Sequence, residues 1–151
     1  MLQPVFDIAE ICSKKGVKKA LICPGSRNAP LTLAFARHPS IDCYSVPDER
    51  SAAFIGLGMA IKSKLPVVVL CTSGSAAYNF APAVAEAFFS QIPLIILTAD
   101  RPQEWIGQLD GQTIYQENIF GKHVKASHTF PSEYGNKDVV WHCHRLINES
   151  I

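Results

Sequence analysis

Apolar positions along this chain follow two rhythms, a helical spacing and short unbroken β-branched runs, and the two alternate from one end to the other. Residues 4–14 place Val5, Ile8, Ala9 and Cys12 at the spacing of one helical face, and Gly16 closes the run. A short strand is predicted over 19–23, a helix over 29–37, a second strand over 41–46, and a helix apolar on nearly all faces over 51–61. The runs at 66–71 and 93–98 lack alternation, as strands covered on both faces do. Between them a helix is predicted over 76–90, bent or offset by Pro82. A last helix repeats Val139, Val140, Cys143, Leu146 and Ile147. Four strand–helix alternations with right-handed crossovers imply an α/β fold, a doubly wound parallel sheet with helices on both faces.

Composition narrows the possibilities. The 151 residues fit one domain, 1–151, large enough to bury a core. Hydrophobic residues make up 48% and charged residues 18%, with net charge +1, which argues against a disordered chain and against nucleic acid as a partner. The longest apolar runs fall far short of the ~20 residues that cross a bilayer, so no transmembrane segment is expected. Asp7 and Glu10 interrupt the apolar N-terminal pattern, which is no secretory signal, and the cytoplasm is the expected compartment. Five cysteines without a close pair read as buried reduced thiols. His142-Cys143-His144 is a poor metal site, because helix positions two apart point ~200° away from each other.

Candidate chemistry lies where loops leave the strands' carboxyl ends, the edge at which open α/β sheets bind ligands. Pro24-Gly25-Ser26-Arg27-Asn28 joins a strand to a helix. Free backbone N–H groups and the Arg27 fork there suit an anion, although plain turn chemistry with Asn28 or Ser26 as N-cap explains the same residues. Glu49 stands between a strand and a helix N-terminus. Desolvation would favour its protonated form and suit it to share a proton with a ring nitrogen, while a first-turn acid also simply complements the helix dipole. Thr72-Ser73-Gly74-Ser75 are small enough to let a flat ligand approach the backbone. Arg101 supplies a second cation on the same rim, and the polar stretch 103–116, with Gly107 and Gly111, reads as a long functional loop. Gly56-x-Gly58 lies inside a helix and lacks a third glycine, so a nicotinamide cofactor is discounted.

Taken in order, Cys23 to Leu31, Asp48-Glu49-Arg50, Thr72 to Ala76 and Leu97 to Pro102 resemble the N-terminal domain of the 2-succinyl-5-enolpyruvyl-6-hydroxy-3-cyclohexene-1-carboxylate synthases, thiamine diphosphate enzymes of menaquinone biosynthesis. The likeness covers roughly residues 4–131, and its motifs fall at the four rim positions. By that resemblance Glu49 is the cofactor-activating glutamate, bonded to the aminopyrimidine ring. Thr72, Ser73, Gly74 and Ser75 lie along the pyrimidine, Ser26, Arg27 and Arg101 face substrate, and Gln112 lies near both cofactor and substrate. Gly111 departs from the pattern, standing where a larger residue is often found. The implied reaction decarboxylates 2-oxoglutarate and adds the succinyl unit to isochorismate. The resemblance further implies a homo-oligomer in which this pyrimidine domain faces the diphosphate domain of another subunit. That second domain, absent from these residues, holds the diphosphate through Mg2+ or Mn2+, so the chain reads as an N-terminal fragment, inactive alone. A decarboxylase or acetolactate synthase of the same cofactor class, and a non-catalytic α/β binding module, are the alternatives.

Overall fold

The computed structural model describes residues 3–151. The order of elements is α1 (Gln3–Lys14), β1 (Lys19–Ile22), α2 (Ala29–Ala36), β2 (Asp42–Ser45), α3 (Glu49–Ser63), β3 (Val67–Cys71), α4 (Ser75–Tyr78), α5 (Ala81–Phe89), β4 (Leu94–Thr98) and α6 (Lys137–Ser150). The four strands form one parallel sheet in the order β2-β1-β3-β4. Lys19 lies between Asp42 and Val67, and Ile22 between Ser45 and Leu70, so the strands end nearly level. The chain runs outward from β1 to β2 and then returns across β1 to β3. The reversal of strand order therefore falls between the carboxyl ends of β1 and β3, the crevice such sheets offer to ligands.

Both faces of the sheet are covered, as the apolar runs require. Along β3, Val67, Val69 and Cys71 point toward α3, α4 and α5, where they meet Ala52, Ala53, Ala60, Ala77 and Ala83. Val68 and Leu70 point the other way, into a second core with Ile8, Ala9 and Cys12 of α1, Ala34 and Phe35 of α2, and Ile147 of α6. Phe35 and Phe80 are completely buried, one in each core. Truncating either to Ala would cost about 3–5 kcal/mol by the usual large-to-small scale. Small residues set the spacing of the layers. A Cβ on Gly56 would lie 2.8 Å from Val69 Cγ2 and 3.3 Å from Leu21 Cδ1, so this glycine allows α3 to lie close on β1 and β3 and aims its first turn at their ends. That is the role of a residue which the sequence left only as part of a discounted fingerprint.

Three sequence expectations are refined. The helix expected over 76–90 is two helices, α4 and α5, joined at Asn79-Phe80, with Pro82 in the first turn of α5 where its missing N–H costs nothing. β4 is half-buried at every position rather than covered on both faces, because among the described residues it is an edge strand with β3 as its one neighbour. The irregular stretch runs well beyond 116, from 99 to 136, relieved only by a 3-10 turn at Gln103–Trp105. α6 then starts on an Asn136 cap, whose side chain accepts from Val139 N at 2.9 Å. It is fastened to α1 by His144 Nε2 on Asp7 Oδ2 at 2.8 Å. Four of the five free cysteines are buried and Cys43 is half-buried. No described helix is long and apolar enough to cross a membrane.

Candidate active site

Four loops leave the carboxyl edge of the sheet, and the first bridges the crevice between β1 and β3. Cys23 N extends the ladder by donating to Leu70 O at 2.9 Å, which carries β1 one residue further along β3. Asn28, expected as a possible N-cap, does not cap α2 with its side chain; its Nδ2 instead donates to Cys23 O at 2.9 Å. Asn28 is wholly buried, so this bond closes the loop on itself and leaves Ser26 exposed and Arg27 projecting across the crevice. The remaining Asn28 Oδ1 is buried without a partner.

Arg27 is the hub of the rim. Its NH1 donates to Gln112 Oε1 at 2.6 Å and lies 3.4 Å from Ser73 Oγ, while its NH2 reaches Gly111 O at 3.4 Å. Ser73 Oγ in turn donates to Gln112 O at 3.0 Å. Three residues singled out in the sequence, Arg27, Ser73 and Gln112, thus form one network built from three separate loops. Gly111 takes part through its carbonyl, and a Cβ there would meet nothing within 4 Å, so a larger side chain could stand at that position without disturbing the contact.

Glu49 opens α3 and is partly exposed. The capping is done by its neighbour: Asp48 Oδ1 accepts from Ser51 N at 2.7 Å. Hydrogen bonding from Ser51, first its side chain and then its backbone N–H, holds the Asp48 carboxyl below its ordinary range. Among the described residues Glu49 has no hydrogen-bond or ion-pair partner, and its contribution to α3 is that of a first-turn charge at the helix dipole. Its influence reaches the ends of both central strands. Burial, followed by the negative charges of Glu49 and Asp48, pushes the Cys23 thiol up to about 12. Burial, then Cys23 and Glu49, raises Cys71 as well.

The loop after β3 is tightly enclosed. Thr72, Ser73 and Gly74 are buried and Ser75 is exposed. Thr72 Oγ1 is buried with no partner, and Gly25 leans on the same side chain, since a Cβ there would fall 2.4 Å from Thr72 Cβ. Gly74 adopts φ +86°, and the backbone of Gln112 lies where its Cβ would be, at 2.9 Å. The expected close approach of backbone to Gly74 is therefore made by the chain's own loop. Gly74 N–H is also used internally, donating to Gln116 Oε1 at 2.7 Å.

Arg101 stands apart from this network. Its guanidinium pairs with Asp110 and lies over the Trp105 ring at 5.7 Å, and its Nε is buried without a partner. Two rim arginines are thus occupied by three consecutive loop residues, Asp110, Gly111 and Gln112. Asp110 and Gln116 were not singled out in the sequence. Neither belongs to a periodic element, so only the folded loop reveals their partners. Among the described residues no group of three His, Cys, Asp or Glu side chains is placed to hold a metal ion.

Comparison with known proteins places the chain in a family. Residues 5–125 match the family model of the thiamine pyrophosphate enzyme, N-terminal TPP binding domain. The 2-succinyl-5-enolpyruvyl-6-hydroxy-3-cyclohexene-1-carboxylate synthase of Cytophaga hutchinsonii is 51% identical over 150 residues, which are 99% of this chain and 27% of that protein. The protein of the same name from Phocaeicola vulgatus is 48% identical over 97% of the chain and 26% of its own length. That from Flavobacterium johnsoniae is 60% identical over 78% of the chain and 21% of its own length. The chain therefore spans about a quarter of the length of the curated relatives it matches.

Proposed function

The chain belongs to the thiamine pyrophosphate enzyme family through its N-terminal TPP binding domain, and from that premise we propose that it is the pyrimidine-binding part of a 2-succinyl-5-enolpyruvyl-6-hydroxy-3-cyclohexene-1-carboxylate synthase. The single observation that carries this reading is the unpaired, half-buried Glu49 at the start of α3, close enough to the ends of β1 and β3 for its charge to act on Cys23 and Cys71, on the same sheet edge where Arg27, Ser73 and Gln112 converge. A carboxyl group without a partner in the chain can share a proton with a ring nitrogen. The unpartnered Thr72 hydroxyl offers a further polar contact to an aminopyrimidine.

Thiamine diphosphate, when bound, supplies the carbanion chemistry that decarboxylates a 2-oxoacid and passes the remaining acyl unit to an acceptor. The residues of this chain have three tasks. Glu49 holds and exchanges a proton with the pyrimidine. Ser75, the exposed residue of the Thr72–Ser75 loop, meets its flat face. Ser26, Arg27, Arg101 and Gln112 bind the carboxylates of 2-oxoglutarate and isochorismate, for which a guanidinium fork is the matching chemistry. On this reading the diphosphate and its Mg2+ or Mn2+ belong to a further domain, contributed by another subunit of a cytoplasmic homo-oligomer.

The test is turnover of 2-oxoglutarate and isochorismate by the full-length protein with thiamine diphosphate and Mg2+. Glu49→Gln should keep the fold and lose about 10²–10⁴ of the rate, the usual worth of a positioned proton-transfer group. A near-normal rate in that variant, or preference for pyruvate over 2-oxoglutarate, would overturn the assignment.

A further inference from the structure

Gln116 ends the polar stretch 103–116 without a role of its own assigned from the sequence, yet it is one of the few polar side chains buried among the described residues, 8% exposed. All the hydrogen-bonding capacity it directs inward is used at the carboxyl edge of the sheet. Its Oε1 accepts from Gly74 N at 2.7 Å, and its Nε2 donates to Ala99 O at 2.9 Å and to Thr98 Oγ1 at 3.2 Å. One side chain therefore ties the end of β4 to the turn after β3. Ala99 N is already bonded to Cys71 O at 3.0 Å, so Gln116 closes the gap that opens where the ladder stops.

The position of this clamp matters because of what lies just before it. Residues 99–136 carry almost no regular structure, and a loop of that length costs entropy to hold in one conformation. Gln112, only one turn of chain upstream, has φ +57° and an exposed side chain, yet its backbone is seated on Gly74 and its carbonyl accepts from Ser73. The Arg27–Gln112 bond exists only while that seat is kept. A buried side-chain amide with both ends paired is a strong anchor, since removing it would leave the buried Gly74 N–H without its acceptor and the half-buried Ala99 C=O without this donor.

We propose that Gln116 is a positioning residue for the substrate-carboxylate subsite, locking residues 110–116 onto Gly74 so that Gln112 and Arg27 present one fixed recognition surface. This rests on the functional reading above for the identity of the substrate, but not for the clamp itself. Gln116 does not touch substrate; it sets the geometry of the residues that do, and it occupies Gly74 N–H so that this donor is not offered to a ligand.

The test uses the full-length protein and measures KM for 2-oxoglutarate, kcat, and amide hydrogen exchange in wild type, Gln116→Leu, Gln116→Glu, Gln112→Ala and the double variant Gln116→Leu/Gln112→Ala. Gln116→Leu should raise KM about tenfold with kcat changed less than about threefold, and should speed exchange across residues 110–117. Its effect on KM should largely vanish in the Gln112→Ala background, because both changes break the same subsite. Gln116→Glu keeps the acceptor for Gly74 N–H and loses both donors, so it should fall between wild type and Gln116→Leu. If Gln116→Leu fails to fold, the Glu variant decides, and wild-type KM with wild-type exchange would overturn the proposal. Full additivity with Gln112→Ala, or unchanged exchange at 110–117 in Gln116→Leu, would also overturn it. A wild-type protein that turns over no 2-oxoacid would sink the functional reading, and the exchange comparison would still judge the clamp.

Discussion

Arg27 donates to Gln112 at 2.6 Å although the two lie in loops at opposite ends of the domain's sequence, and this bond is what turns separate rim loops into a single surface. A guanidinium that already holds an amide oxygen and a backbone carbonyl is pre-aimed for a carboxylate. In the full-length protein Arg27→Ala should raise the KM of a carboxylate substrate by an amount equivalent to about 1.5–3 kcal/mol, the range for a charged hydrogen bond. Thiamine diphosphate affinity should stay nearly unchanged. Steady-state kinetics with each component varied separately checks this, and equal weakening of both would contradict it.

Asp110 pairs with Arg101, the guanidinium proposed above to receive a substrate carboxylate. An incoming anion must compete with a tethered one. Asp110→Asn should therefore lower the KM for 2-oxoglutarate or isochorismate severalfold, while the fold, read by melting temperature, is little altered. A raised KM would mean that Asp110 orients Arg101 rather than competing for it.

Gly25 and Gly111 make a controlled pair. A methyl group on Gly25 would fall 2.4 Å from Thr72 Cβ and force the loop after β1 away from the loop after β3, whereas one on Gly111 meets nothing within 4 Å. Gly25→Ala should cost about 1–3 kcal/mol, the usual range for overpacking, and Gly111→Ala close to nothing. Urea denaturation followed by far-UV circular dichroism distinguishes the two.

The Asp48 cap makes part of the stability of α3 dependent on pH. Its folded-state pKa is lowered by the hydrogen bond from Ser51, so the contribution is fully present above the ordinary value of 3.8 and is lost as pH falls through the depressed native value. Asp48→Asn keeps a capping oxygen but no titrating charge. Thermal melts should show wild type ahead of Asp48→Asn at neutral pH and the gap closing below about pH 4. A gap that persists under acid conditions would mean that the charge contributes nothing at this cap.

The chain's local patterns were enough to determine the class of fold and the sheet edge on which the candidate residues lie. The unbroken run Val67–Cys71 reads as a strand buried on two faces and is one, while Leu94–Thr98 with the same pattern is a half-buried edge, and helices spaced between the strands leave few topologies once crossovers are right-handed. The same logic put Arg27, Glu49, Ser73 and Arg101 on one edge, because each follows directly from the end of a strand or the start of a helix. Tertiary structure alone decided who meets whom. Gln112 to Arg27, Asp110 to Arg101 and Gln116 to Gly74 are contacts between an aperiodic loop and distant turns. Such a loop has no repeat from which its course can be read. Even Asn28, whose position suggested a cap, turned its side chain inward to Cys23 O once the loop had closed. Periodicity encodes the direction in which a face points, and these partners depend instead on where two irregular segments come to rest.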